Sequence, residues 1–530
     1  MEGVNQANDR RRGQARLSID ELKKVPLTGS IDDNRAYLEQ LLSECSDAVI
    51  REFRIQSGPR ALVVYIDGLA KTEAVDRTMQ ALMILEGGES DLERLIMTTL
   101  PVSQLNPTYN FGDLLANVLS GDTGLLVDGN ASAMTMGYRD SEHRSVSEPE
   151  TESVIRGPRE GFTENLRTNT SMIRRKIRSP NLKMKPLIVG RETNTNIVVS
   201  YMDGIADPEL VREVITRIES IRIDGVLETG YIEELIQDNG YSPFSQAQYT
   251  ERPDTVAASL LEGRVAILVD GTPFVLLVPI VFWQWFQASE DYYERFMIGT
   301  LLRILRLIFF VVALTTPAIY IAVTTYHQEM IPTNLLLSIA TSREPIPFPA
   351  VVEAMIMEVA FEALREAGIR LPRTVGQAVS ILGALVVGQA AVQAGIVSAA
   401  MVIVVSLTGI ASFTLPRFNG AISIRMLRFP LMILAAAFGL MGIVIGGLLI
   451  LGHMAKLRSF GIPFLSPVSP LHVKDLKDVI YRAPWWNMRD RPRFLRGGDK
   501  RRFGRKVSDR MGKGKKPFRT TVKQGERDEN

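Results

Sequence analysis

The sequence predicts an α/β protein with an α-helical membrane domain: two repeated α/β soluble domains followed by a multi-helix transmembrane bundle. Three observations carry this. The stretch VVYIDGL (63–69) returns as VVSYMDGI (198–205), and such self-similarity marks a duplicated structural unit. The block from Ile298 to Ala455 has no lysine and no aspartate; its thinly spread charges are arginines and glutamates. The remaining sequence is polar, so the 530-residue chain is still 23% charged, with a net charge of only +2. That division excludes a wholly soluble and a wholly embedded protein. The even charge balance argues against a nucleic-acid partner.

Residues 1–44 read as a basic arm (Arg10, Arg11, Arg12) and a surface helix with Ile31, Tyr37, Leu38, Leu41 and Leu42 on one face. Soluble α/β repeat 1 spans 45–138 and repeat 2 spans 182–280. After the matched strands come the helical stretches TEAVDRTMQALM (72–83) and PELVREVITRIES (208–220). FGDLLANVLSGDTGLLVDG (111–129) then parallels TVAASLLEGRVAILVDG (255–271) as helix, turn and strand, and an apolar strand closes each copy. The pairs Asp67-Gly68, Asp128-Gly129, Asp203-Gly204 and Asp270-Gly271 fall at strand ends, where tight turns use these residues. The connector 139–181 begins as a charged loop. It ends in a basic helix (Arg167, Arg174, Arg175, Lys176, Arg178) expected to be solvated, near an anionic membrane surface or a partner subunit. It lacks the aromatic residues on which bases would stack.

A membrane domain with an interfacial lead-in segment is expected over 281–472. Spanning helices need about 20 apolar residues, and four stretches qualify: Leu307–Tyr326, Thr374–Ala394, Ile396–Pro416 and Phe429–His453. Their glycines and alanines suit close helix packing. Trp283, Trp285, Tyr292 and Tyr293 in the lead-in read as an interfacial belt. Segment 349–367 differs, carrying Glu353, Glu358, Glu362, Arg365 and Glu366. Carboxylates at membrane depth face a bundle interior or a water-filled cavity. The segment therefore reads as the lining of an ion pathway, with Met355, Glu358 and Glu362 as candidate pore residues. An amphipathic helix on the membrane surface and simple intrahelical pairing are the competing readings.

The tail 473–530 is basic and expected to be cytoplasmic by the positive-inside rule. MEGVNQANDRRRGQ contains no apolar run, so no cleavable signal is expected and the N-terminus belongs on the same side. An even number of crossings follows, with 349–367 dipping in rather than crossing. Arg417, Arg425 and Arg428 then fall outside, against the same rule. If 349–367 crosses instead, those arginines return inside and parity is to be repaired elsewhere, at the proline-rich GIPFLSPVSP (461–470). One cysteine, Cys45, and four scattered histidines leave no cysteine-rich or histidine-based metal site, and no catalytic constellation, metal or cofactor is expected.

The long motifs SVSEPETESVIRGPREGFTENLRTNTSMIRRKIRSPNLK, EDYYERF, TTYHQEMIP, REPIPFPAVVEAMIMEVAFEALREAGIRLP, RSFGIPFLSPVSP and DLKDVIYRAPWWNMRDRPRF resemble those of A subunits of the spore-germination nutrient receptors, the GerA family. The resemblance covers residues 31–495. It implies a membrane subunit that works with a permease-like B subunit, which binds the nutrient, and a lipoprotein C subunit, in the inner membrane of the dormant bacterial spore. It further implies a homo-oligomeric ring among membrane lipids, forming a gated channel that releases cations as germination starts, with no enzyme activity. The alternative from another class is a secondary transporter, in which repeats belong within the membrane domain; here the repeat lies in the soluble part.

Overall fold

The computed structural model describes residues 18–56, 58–84, 104–140, 148–149, 151–372, 388–495 and 497–502. Two five-stranded sheets form among the described residues, ordered β1-β2-β4-β5-β3 and β6-β7-β9-β10-β8. The first comprises β1 (Ala48–Arg54), β2 (Arg60–Ile66), β3 (Leu105–Thr108), β4 (Thr123–Val127) and β5 (Ala133–Met136). The second comprises β6 (Leu182–Val189), β7 (Thr195–Met202), β8 (Gln248–Thr250), β9 (Val265–Val269) and β10 (Val275–Val278). Every pairing is antiparallel, and the registers match: Ala61 faces Val127 as Ile197 faces Val269. The strands within VVYIDGL and VVSYMDGI are thus equivalent.

Each sheet is covered on both faces. On the first, α1 (Ile31–Leu41) and α3 (Phe111–Val118) cover one side and α2 (Thr72–Ile84) the other. On the second, α4 (Leu166–Lys176) and α7 (Pro253–Glu262) cover one side, and α5 (Pro208–Ser220) and α6 (Thr229–Ile236) the other. The equivalence reaches further toward the N-terminus than the matched strands. Asp128 Oδ1 accepts from the Ile31 amide at the start of α1, and Asp270 Oδ1 from the Leu166 amide at the start of α4, both at 3.2 Å. The following glycines, Gly129 and Gly271, have positive φ. The Asp-Gly turns therefore also cap the helix that opens each unit, an anchoring worth about 1 kcal/mol.

Two expectations change here. The first helix is no surface appendage: Ile31, Leu38 and Leu41 are core residues of the first unit. The basic connector helix is not simply solvated either. Arg174 is completely buried and donates through Nε and Nη2 to the two oxygens of Asp47, at 2.7 and 2.8 Å. Arg167 pairs with Asp67 at 3.0 Å. The helix opening the second unit thus spends its cations on the first, which joins the units.

After the sheets, the lead-in segment turns inward instead of forming a lipid-facing belt. Trp285 is 1% exposed, packed among Phe244, Phe282 and Phe464. Gly420 lies against its ring, where a Cβ would come within 2.9 Å. Tyr292 and Tyr293 donate to Asp478 and Asp254.

Then come α8 (Phe296–Thr325), α9 (Thr333–Arg343), α10 (Ala350–Arg370), α11 (Ala399–Phe413) and α12 (Phe418–Lys456). Among the described residues α8 and α12 are long and apolar enough to cross a membrane. The Ile396–Pro416 stretch yields the 15-residue α11. Most of Thr374–Ala394 lies outside the described residues.

Phe429–His453 is not one continuous helix. At Gly439 the backbone takes φ 62° and ψ −141°, a conformation open essentially to glycine alone. There the chain reverses: Gly442 lies against the Leu434 carbonyl and Gly446 against Leu431. The Gly-x-x-x-Gly spacing lets the two legs touch. Carbonyls freed by the break still need donors in apolar surroundings. The single Tyr326 O–H is shared between two of them, with Oη 2.9 and 3.1 Å from the Ala436 and Ala437 oxygens. Both ends of α12 consequently return to the second sheet unit. Arg417 pairs with Glu152, Ser423 donates to the Pro243 carbonyl, and His453 hydrogen-bonds Ser242. Arg417 therefore lies on the side of the sheets.

Two outcomes follow. Asp47→Ala should lower the stability of the sheet region by about 3–5 kcal/mol, because it strands the buried Arg174 charge; denaturant unfolding measures this. Gly439→Ala should cost about 1–3 kcal/mol in backbone strain, read as a lower thermal midpoint of the detergent-purified protein.

Candidate functional site

The acidic helix α10 lies among α8, α11 and the first leg of α12. Its start meets the start of α11: Glu353 Oε1 accepts from the Ser398 amide at 2.5 Å and from its hydroxyl. Ser398 in turn caps α11 through the Met401 amide. Near its end, Arg365 reaches Ser412 at 3.3 Å, so α10 and α11 run parallel. Glu358 and Glu362 meet Arg428 and Arg425 in the reverse order, so the first leg of α12 runs antiparallel to α10.

The three candidate residues occupy different settings. Glu358 is 0% exposed and bonded to Arg428 Nη1 at 2.5 Å. Arg428, 1% exposed, also donates Nε to the Ala313 carbonyl of α8 at 2.9 Å. Glu362 is half-buried between Arg365 at 3.1 Å and Arg425 at 3.2 Å. Met355 is half-buried against the apolar cluster that includes Ala354, Met357 and Met432. The structure thus brings the two glutamates into one charged ladder and sets Met355 beside it.

Sequence reasoning recorded Glu353 but gave it no role. It is fully buried, with Arg343 of α9 at 3.7 Å from Oε2. The intrahelical pairing that the sequence offered is present, Glu362 with Arg365 at 3.1 Å and Glu366 with Arg370 at 2.6 Å; the partners on other helices, Arg343, Arg425 and Arg428, were missed. The available signal was that the charges of this apolar block are arginines and glutamates alone, a composition that favours pairing. Arg365 is held further by the rings of Phe361 and Phe413, at 5.0 and 4.9 Å, a cation–π arrangement.

The open face of α10 is chemically different. Val352, Ile356 and Val359 are exposed, continuing through Ala363 to Glu366 and Arg370. Spacings of four and three residues place all six on one stripe.

Elsewhere, little resembles a reaction centre. Cys45 is buried, and burial pushes its thiol above the usual range, away from the reactive thiolate. Among the described residues no group of three His, Cys, Asp or Glu side chains could hold a metal ion. A small cleft lies where the sheet unit meets α12, lined by Glu152, Gln248, Trp285 and Arg417.

This architecture, a duplicated sheet region carrying long apolar helices with an internal charged ladder, is that of a membrane-associated protein. The chain is a member of the family described as the Bacillus/Clostridium GerA spore germination protein, which it matches over residues 36–494, and is thereby a germination receptor subunit. It is 52% identical to the uncharacterized membrane protein YfkQ of Bacillus subtilis (strain 168), over 89% of this chain and 93% of that one. It is 46% identical to spore germination protein KA of the same organism, over 91% and 90%. Among solved structures it matches the N-terminal domain of the A subunit of the Bacillus megaterium spore germinant receptor GerK3. That match has 34% identity and a TM-score of 0.39, and covers 48% of this chain and 97% of that one.

Glu353→Gln keeps an acceptor for the Ser398 amide and hydroxyl, whereas Glu353→Ala leaves both unmet. A buried donor without a partner costs about 1–3 kcal/mol. Thermal unfolding of the purified protein should therefore fall further for Glu353→Ala than for Glu353→Gln.

Proposed function

We propose that this receptor subunit forms a ring of identical chains whose α10 helices enclose a gated path for cations, opened when a nutrient is sensed. The observation carrying this reading is α10 itself, whose carboxylates Glu353, Glu358 and Glu362 lie in the apolar helical block, each beside an arginine. Charges at such depth are expensive, and they are found where ions or protons pass. The apolar stripe of Val352, Ile356 and Val359 suits a closed constriction that excludes water. Met355, Glu358 and Glu362 are the residues assigned to the conducting path, and no chemical transformation is assigned to the protein.

In this reading the helical block spans the inner membrane of the spore as a multi-helix bundle. Helix α8 leaves the sheet side, α10 and α11 return toward it, and the α12 hairpin leaves and returns again. Both termini face the cytoplasm, where the sheet units receive the signal from a permease-like B subunit and a lipoprotein C subunit. Their coupling route is the joint at Glu152–Arg417 and Trp285–Gly420, which ties the second sheet unit to the base of α12.

Nutrient-triggered potassium release from spores tests the assignment. Glu358→Gln and Glu362→Gln should each slow release several-fold while the subunit is present at its normal level. Normal release from both variants would remove α10 from the path.

A further inference from the structure

In the conduit reading, the charged ladder bears on how the path is kept shut. Around α10, at about 100° per residue, the exposed stripe runs through Val352, Ile356, Val359 and Ala363. Met355 and Glu362 lie on one flank of it, and Glu358 lies further round the same flank, inside the protomer. All three candidate pore residues are therefore displaced from the open face in the same rotational sense. A turn of the helix by roughly 100°, one residue's worth, brings Met355, Glu358 and Glu362 together onto the face that Val352, Ile356 and Val359 now occupy.

Arg428 opposes that turn. Its guanidinium is fixed by the Ala313 carbonyl of α8, and it grips Glu358 through Nη1. The grip is strong and incomplete. Glu358 Oε1 and Arg428 Nη2 are buried without a hydrogen-bonding partner in the protein. A buried ion pair with unmet polar atoms stands high in energy compared with one fully satisfied. It is therefore a pair whose exchange for a hydrated carboxylate is within reach of a binding signal.

We propose that Glu358–Arg428 is the latch of the closed conduit, with Arg428 as its positioning residue. While the pair holds, α10 presents its apolar stripe to the path. Opening releases Glu358 from Arg428 and turns α10, so that Glu358 and Glu362 face the path and attract cations. This rests on the conduit reading above.

Spores carrying the full receptor test it through potassium release without nutrient. Arg428→Gln should raise that resting release at least about tenfold, as expected from breaking a buried pair. The exchanged pair, Glu358→Arg with Arg428→Glu, should restore tightness, which a merely destabilised subunit would not do. A second measurement does not depend on Arg428 variants folding. Cys45 is the chain's single cysteine and is buried, so an introduced thiol reports alone. Met355→Cys should gain reactivity toward an aqueous thiol reagent on adding nutrient, and Val359→Cys should lose it.

Resting release as tight as wild type from an Arg428→Gln subunit present at normal level overturns the latch. So does the absence of every Arg428 variant from the membrane, exchanged pair included, because the pair is then a folding element. Unchanged Met355→Cys reactivity during normal triggered release overturns the rotation. Failure of the wild-type receptor, reconstituted in liposomes, to pass potassium on nutrient addition instead removes the conduit reading itself.

Discussion

One guanidinium joins three helices. Arg428, on the first leg of α12, binds a backbone carbonyl of α8 and a carboxylate of α10 while almost wholly shielded from solvent. Deep inside apolar helices a lone charge costs several kcal/mol, so Arg428 and Glu358 each lower the cost of burying the other. Their mutual need fixes the depth at which α10 sits against α8 and α12, and with it the height of Glu353 and Glu362. Arg425, one turn before Arg428, then falls opposite Glu362. Glu353 falls beside Ser398, the cap of α11. The arrangement of the acidic helix thus follows from one pairing and helical periodicity.

A second constraint operates at the far end of the same helices. The reversal at Gly439 frees carbonyls that no water-poor environment forgives, and the Tyr326 O–H at the end of α8 is shared between two of them. Helix α8 is therefore tied to α12 at its middle, by Arg428 to Ala313, and at its end, by Tyr326 to Ala436. At the sheet side, Asp291 gathers Arg303 and Arg306 from the start of α8, while Asp478 of the tail takes Arg303 from the opposite side. α10 makes its polar contacts to this frame through side chains: Glu353, Glu358, Glu362 and Arg365. The ties between α8 and α12 run from side chains to backbone carbonyls, and α10 makes one bond of comparable kind, from the Ser398 amide to Glu353, with its other polar contacts passing between side chains.

Much of the fold was legible because it is local or repeated. The duplicated strands appear as near-identical words, and their registers coincide in the two sheets. The acidic helix was visible because glutamates within an apolar block are anomalous on their own. What was not legible is long-range. Arg174 reads as one cation among several in a basic helix, and its partner Asp47 lies 127 residues earlier. Arg428 lies 70 residues from Glu358, so sequence shows a surplus of arginines and not which one meets which carboxylate. The reversal at Gly439 hides in AAAFGLMGIVIGGLLILG, where unbroken hydrophobicity argues for one span. Only the Gly442–Gly446 spacing hinted at two close-packed legs.

The pairing also reconciles two demands that seem opposed. A cation path needs carboxylates, yet a path that must not leak cannot leave them facing the lumen, where they would hold water and ions. With arginines beside α10, Glu358 and Glu362 are present but paired, and the open stripe is valine, isoleucine and alanine as far as Ala363, ending in the exposed Glu366–Arg370 pair. An apolar constriction closes by excluding water, so in the proposed conduit tightness at rest comes from what faces outward and conduction from what waits behind it. Lysine would serve less well in this position. Its single ammonium could not bind the Ala313 carbonyl and the Glu358 carboxylate from fixed, separate directions, as the guanidinium fork does. The absence of lysine from the block between Ile298 and Ala455, first seen as a compositional oddity, is what an internal ladder of directional charge pairs requires.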